Sequence, residues 1–138
     1  MIKIESLHHV SLPVTDLERS REFYMEILGL EEIERPPLNF AGAWFRVGNG
    51  HLHLLVSHTS TFRTEKSLDS RDIHFAIRVT SYHQAKMHLR SKGYHPAAED
   101  PMMKLKESPH ATVGFPQLYI MDPDRNVIEL NAAQLDEE

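Results

Sequence analysis

"LHHVSLPVTDLERSREFYMEILGL", residues 7–30, can be laid over "IHFAIRVTSYHQAKMHLRSKGY", residues 73–94. His9 falls on His74, Val14 on Val79, Thr15 on Thr80 and Asp16 on Ser81, each 65 positions apart. Both copies read as a strand followed by a helix. In the first, His8, Val10, Leu12 and Val14 alternate with His9, Ser11 and Pro13. In the second, Ile73, Phe75, Ile77 and Val79 alternate with His74, Ala76 and Arg78, so each strand has one apolar face. Asp16 is placed to cap the first helix and Ser81 the second, where Gln84 completes a capping box. Leu17, Ser20, Tyr24, Ile27 and Leu28 follow a helical stripe, as do Tyr82, Ala85 and Leu89. Gly29 and Gly93 stand where a left-handed residue closes a helix.

Three short strands are expected after each helix. In the first copy they lie near GLEEIER, AGAWFRVG and HLHLLV; in the second, near YHPAAE, FPQLYIMD and NVIELNA. The turns VGNG and DPDRN precede the last strand of each copy. The chain is thus an α+β protein built as strand-helix-strand-strand-strand, twice. Modules 1–58 and 72–131 are joined by a polar linker, 59–71. Neither half covers its own sheet well, so residues 1–138 are expected to form one domain.

Composition narrows the function. The 138 residues are 41% hydrophobic and 25% charged, which suits a folded domain with a real core. No apolar run is long enough to span a bilayer, and MIKIESLHHV lacks the apolar stretch of a secretion signal. The net charge of −5, with scattered basic residues, argues against nucleic acid and anionic membranes as partners. The lack of cysteine removes disulfides, thiolate ligands and a thiol nucleophile, and fits the cytoplasm. Ten histidines, by contrast, invite a search for metal.

That search runs through strand faces. In HLHLLV, Leu52, Leu54 and Val56 share the face a helix covers, which leaves His51, His53 and Leu55 on the other. The first strand leaves His9, the first strand of the second copy leaves His74, and the last strand leaves Glu129 between Ile128 and Leu130. Two explanations fit this set: separate solvated or hydrogen-bonded residues, or one divalent first-row metal shared by nitrogen and oxygen donors.

The run "HHVSLPVTDLERSREFYMEILGL", followed by "GAWFRVG", "HLHLL", "IHFAIRV" and "YIMDPDRNVIEL", resembles the vicinal oxygen chelate superfamily over Leu7 to Asn131. That superfamily includes glyoxalase I, fosfomycin-resistance enzymes, methylmalonyl-CoA epimerase, extradiol dioxygenases and bleomycin-resistance proteins. The resemblance implies two βαβββ modules curled into a cupped half-barrel around a divalent metal (Zn, Ni, Co, Mn or Fe). His9, His74 and Glu129 match the family's metal ligands. His53 stands where glyoxalase I has a glutamate and is expected as a fourth ligand; His8 and His51 are bystanders. Tyr119 matches a tyrosine near the metal, and Glu129 doubles as a catalytic base. Trp44 reads as cup lining or core, and Arg78 as an anion contact or a solvated arginine.

Histidine at 53 in place of a carboxylate leaves a divalent metal with net charge +1, which favours a small anionic substrate that chelates through two oxygens. The implied activity is a glyoxalase-like lyase or isomerase. The alternatives are a fosfomycin-resistance-type thiol transferase, an extradiol-type dioxygenase, and a non-catalytic binding module of the bleomycin-resistance kind. A homodimer is expected from the resemblance. Residues 95–114 read as a surface loop or a substrate-facing flap, with Met102 and Met103 as adaptable apolar contacts. Arg125 stands where the family commonly has glycine; a positive φ there costs an arginine ~1 kcal/mol.

Overall fold

Strand β1 (His9–Val14), helix α1 (Leu17–Glu22) and strands β2 (Glu31–Ile33), β3 (Gly42–Val47) and β4 (Gly50–Val56) form the first half of the chain. The second half contains β5 (His74–Arg78), α2 (Tyr82–Ser91), β6 (Lys106–Ser108), β7 (Gln117–Met121) and β8 (Val127–Asn131). This is a computed structural model, and it describes residues 1–136. Each half has a four-stranded mixed sheet of the same topology, β1-β4-β3-β2 and β5-β8-β7-β6. The first strand of each copy runs parallel to the last, and the other pairs are antiparallel. The α+β repeat read from the sequence is therefore the observed one. The chain divides after Thr61 into two compact units.

Each unit is organised by its apolar strand faces. In the first, Val14, Ala43, Phe45, Leu52 and Leu54 are buried together with Phe23 and Tyr24 of the helical segment. Asp16 accepts a hydrogen bond from the Arg19 amide (3.1 Å) and starts α1. The helix then widens into a π-turn over Phe23–Ile27, with Leu28 N–H donating to the Phe23 carbonyl. The extra residue in that turn shifts the helical phase and buries both adjacent aromatics. In the second unit, Ser81 accepts from the Gln84 amide at 3.0 Å, and Leu89 of α2 is buried with the core. Gly29 (φ 69°) and Gly93 (φ 97°) close their helical segments in the left-handed region, as their positions required.

Three expectations are corrected. No strand forms at YHPAAE: His95 makes only an isolated bridge to Lys104. Pro96 has no N–H for a ladder, and the chain turns there with Ala98 N–H donating to the His95 carbonyl. The short strand instead lies at Lys106–Ser108, inside the segment read as a loop or flap. Met102 in that segment is partly buried and packs, as does Leu68, against Tyr119, Met121 and Val127. Finally, Ile73 is not core-facing. It precedes β5 and is 94% exposed, because the strand begins only at His74.

The linker also has structure. Residues 62–72 dock on the second unit, where the Arg63 guanidinium donates to the Arg125 carbonyl (2.7 Å) and the Ser67 carbonyl (3.2 Å). Arg125 has the positive φ, 66°, that its position in DPDRN foretold. Asp122 pins that turn by accepting from the amides of Asp124 (2.9 Å) and Asn126 (2.8 Å). The Arg125 guanidinium donates to the Lys66 carbonyl (2.7 Å), so the strained residue is held from both sides.

Candidate metal centre

The ladder register places chemically active residues at equivalent points of the two sheets. Paired residues of neighbouring strands share a face. In the first unit His53 on β4 pairs with Ser11, two residues beyond His9 on β1, and with Trp44 on β3. In the second, Glu129 on β8 pairs with Ala76, two residues beyond His74 on β5, and with Tyr119 on β7. Each unit thus presents an imidazole from its first strand, a donor from its fourth and an aromatic from its third. All lie on the face opposite the helix.

In the first unit the rings stack. Trp44 lies flat on His53, with centroids 4.0 Å apart and planes 7° apart, and His9 covers the other side of His53 at 4.2 Å and 20°. His51 Nδ1 is 3.4 Å from His53 Nε2, and His8 Nδ1 is 2.8 Å from His9 Nδ1. The supposed bystanders His8 and His51 therefore touch the two expected ligands. His53 titrates at about 4: burial is the main cause, followed by repulsion from His9, His51, His8 and Arg35. It is neutral at ordinary pH, the form in which imidazole binds metal.

In the second unit the contacts are hydrogen bonds. Glu129 is only 5% exposed, so it is not a solvated terminal residue. Its Oε1 accepts from the Tyr119 hydroxyl (2.8 Å) and lies 3.2 Å from His74 Nε2, while its Oε2 accepts from the Asn131 amide (2.5 Å). Burial alone would raise the Glu129 pKa, but hydrogen bonds from Asn131, Tyr119, Gln117 and His74 outweigh it and hold the carboxyl below its usual value. Burial, reinforced by the bond to Glu129, pushes Tyr119 up to about 12, so its hydroxyl stays a donor. His74 also meets Tyr119 edge-on, at 5.5 Å and 79°. Its Nδ1 lies 2.8 Å from the Asp72 carbonyl and donates to it, so Nε2 is the nitrogen that faces Glu129.

Arg78 is neither a free anion contact nor simply solvated. Its Nε donates to Asn131 Oδ1 (2.6 Å), which orients the Asn131 amide towards Glu129. Sequence reasoning passed over Asn131 and Gln117. Period-two alternation could have found them, since Asn131 stands two residues after Glu129 and Gln117 two before Tyr119.

Four donors are thus brought together as two pairs, His9 with His53 and His74 with Glu129. Among the described residues, no group of three or more His, Asp or Glu side chains is gathered for a metal. The donor chemistry nevertheless fits one: three imidazoles, of which His53 is neutral at ordinary pH, an ionised carboxylate and a further hydrogen bond on each of His74 and Glu129.

A family model described as glyoxalase/bleomycin resistance protein/dioxygenase superfamily matches residues 6–130. The chain belongs to this superfamily. Among the superfamily's relatives, the protein named glyoxylase I 4 of Arabidopsis thaliana is 32% identical over 132 residues, which cover 94% of this chain and 71% of that protein. A glyoxalase family protein from Bacillus anthracis has a TM-score of 0.73 at 24% identity, with 96% of this chain and 98% of that one covered. A fosfomycin resistance protein, FosX, from Listeria monocytogenes has a TM-score of 0.68 at 21% identity, covering 96% and 97%. At these identities the solved structures establish the glyoxalase-like fold. A FosX variant of that fold was crystallised with Mn(II) and 1S,2S-dihydroxypropylphosphonic acid. No helix of the described residues is long and apolar enough to cross a membrane.

Proposed function

We propose that this superfamily member is a divalent-metal-dependent enzyme of the glyoxalase-like lyase or isomerase type. His9, His53, His74 and Glu129 are its ligand set. The observation that carries this is the matched placement of His9 with His53 and His74 with Glu129 at equivalent register positions of two repeated sheets. A structural role alone gives no reason for the same strand positions to carry donors in both units. When bound, the metal supplies Lewis acidity to two neighbouring oxygens of the substrate.

The protein's own groups supply the rest. Glu129, ionised and buried, takes and returns a proton at substrate carbon. Tyr119 keeps its own proton at neutral pH and steers that carboxylate through Oε1. Asn131, held by Arg78, donates to Oε2, so the carboxylate is oriented through both of its oxygens. Lys106 pairs with Tyr119 across the ladder and holds its ammonium 5.8 Å from that ring, which favours an anionic substrate on this face. The large apolar side chains at the entrances of β1 and β5, Leu7 (78% exposed) and Ile73 (94% exposed), favour burial against a second copy in a homodimer.

Trp44 is the only tryptophan, and it lies on His53, so its fluorescence reports on the site. Titrating the chelator-stripped chain with Co(II) or Ni(II) should quench that emission saturably, and His53→Ala should abolish the saturable part. Unchanged emission with metal bound elsewhere would exclude His53 as a ligand. The metal-loaded protein is then assayed with methylglyoxal hemithioacetal, an epoxide phosphonate with thiols, and catechols. Isomerisation of the hemithioacetal supports the proposed class. Turnover of only the second or third replaces it with a transferase or a dioxygenase, and ligand binding without metal or turnover replaces it with a binding module.

A further inference from the structure

Arg63 belongs to no strand or helix. Its guanidinium nevertheless ties together the approaches to both strands that carry them. Nη1 donates to the Arg125 carbonyl at 2.7 Å, two residues before β8 begins at Val127. Nη2 donates to Asp72 Oδ2, also at 2.7 Å, two residues before His74 opens β5. These strands are neighbours, with His74 paired to Val127. The Arg63 and Asp72 side chains are only 18% and 23% exposed, so the ion pair is shielded from solvent more than a surface bridge is. Lys66 supports the same carboxylate at 3.1 Å, and the Asp72 amide donates to the Asp69 carbonyl. The Asp72 peptide is thereby held at its amide and at its side chain. Its carbonyl is the group that meets His74 Nδ1.

We propose that Arg63 is the positioning residue for His74. By fixing the Asp72 peptide against the β8 turn, it holds His74 Nδ1–H on the Asp72 carbonyl and so sets the ring with Nε2 towards Glu129. A metal-bound histidine depends on such a partner for its tautomer and ring orientation, and loss of an outer partner typically weakens binding ~10–100-fold. Arg125 fits the scheme. Its left-handed φ of 66° costs ~1 kcal/mol in isolation, yet its carbonyl is the anchor for Arg63. The inference rests on His74 being a metal ligand, and its test separates the two claims.

The test uses the full chain loaded with Zn(II). Long-range 15N–1H correlation of the imidazole rings, with His74 assigned by comparison with His74→Ala, reads the tautomer directly. The wild type should show Nδ1–H. Arg63→Ala should show a mixture of tautomers and bind Zn(II) about tenfold more weakly in chelator competition. Asp72→Asn keeps the carbonyl and removes the charge Arg63 holds, so it should move both readouts the same way and serves if Arg63→Ala fails to fold. A single Nδ1–H tautomer in folded Arg63→Ala or Asp72→Asn overturns the proposal. Unaltered Zn(II) affinity in His74→Ala would instead overturn the ligand assignment, while the tautomer would still judge Arg63.

Discussion

Replacing His74 with alanine is expected to lower the affinity for a divalent metal more than ~100-fold, because loss of a mere outer-shell partner already costs ~10–100-fold. The same change should cost little stability. The His74 side chain is 26% exposed, and Glu129 keeps its bonds from Tyr119 and Asn131 when the ring is gone. Glu129→Ala is a poorer probe, since it strips the partner from the buried Tyr119 hydroxyl and from the Asn131 amide at about 1–3 kcal/mol each. His74→Ala therefore separates metal binding from folding. Equilibrium dialysis against a chelator series measures the first, and urea unfolding the second. An affinity within threefold of wild type would remove His74 from the ligand set.

Gly42→Ala is expected to destabilise the chain by about 2 kcal/mol, an effect of overpacking. Gly42 pairs with Leu55, and an added Cβ would sit 2.3 Å from the Leu54 carbonyl oxygen and 3.1 Å from the Arg35 guanidinium. Arg35 is a flexible side chain and can move. The Leu54 oxygen belongs to β4, the strand held between β1 and β3, and cannot. Gly42 has no positive φ, so a strand glycine here would ordinarily gain ~0.5–1 kcal/mol on becoming alanine. The steric term reverses that sign. Two residues along the same strand, Trp44 is stacked on His53, so opening the ladder should also change the Trp44 emission. A Gly42→Ala protein as stable as wild type in urea would refute the close approach.

The contrast between His74 and Gly42 shows where the sequence was informative. The caps at Asp16 and Ser81 and the closing glycines at 29 and 93 follow from local turn chemistry and are found where expected, as are the strand faces apart from Ile73. His53 beside Trp44, and Glu129 beside Tyr119, follow from the same alternation once strands are paired. Gly42 carried no such signal, because its role depends on a neighbouring strand's carbonyl. YHPAAE misled because its place in the repeat called for a strand that Pro96 and the alanines after it do not support, and the unit took its edge strand from Lys106–Ser108 instead. Arg63 was invisible as well. Its partner carbonyl at Arg125 lies 62 residues away, and only the folded linker brings them within 2.7 Å.

Metal content is the measurement that tests the central claim most directly. Chain purified from a metal-replete host, dialysed and weighed by elemental analysis should carry close to one divalent first-row ion per polypeptide. It should lose that ion to chelator and regain it on reloading, and it should fail to regain it when position 74 or 129 is altered. Protein that holds no stoichiometric metal in either state, or holds it equally well after both substitutions, would contradict the account.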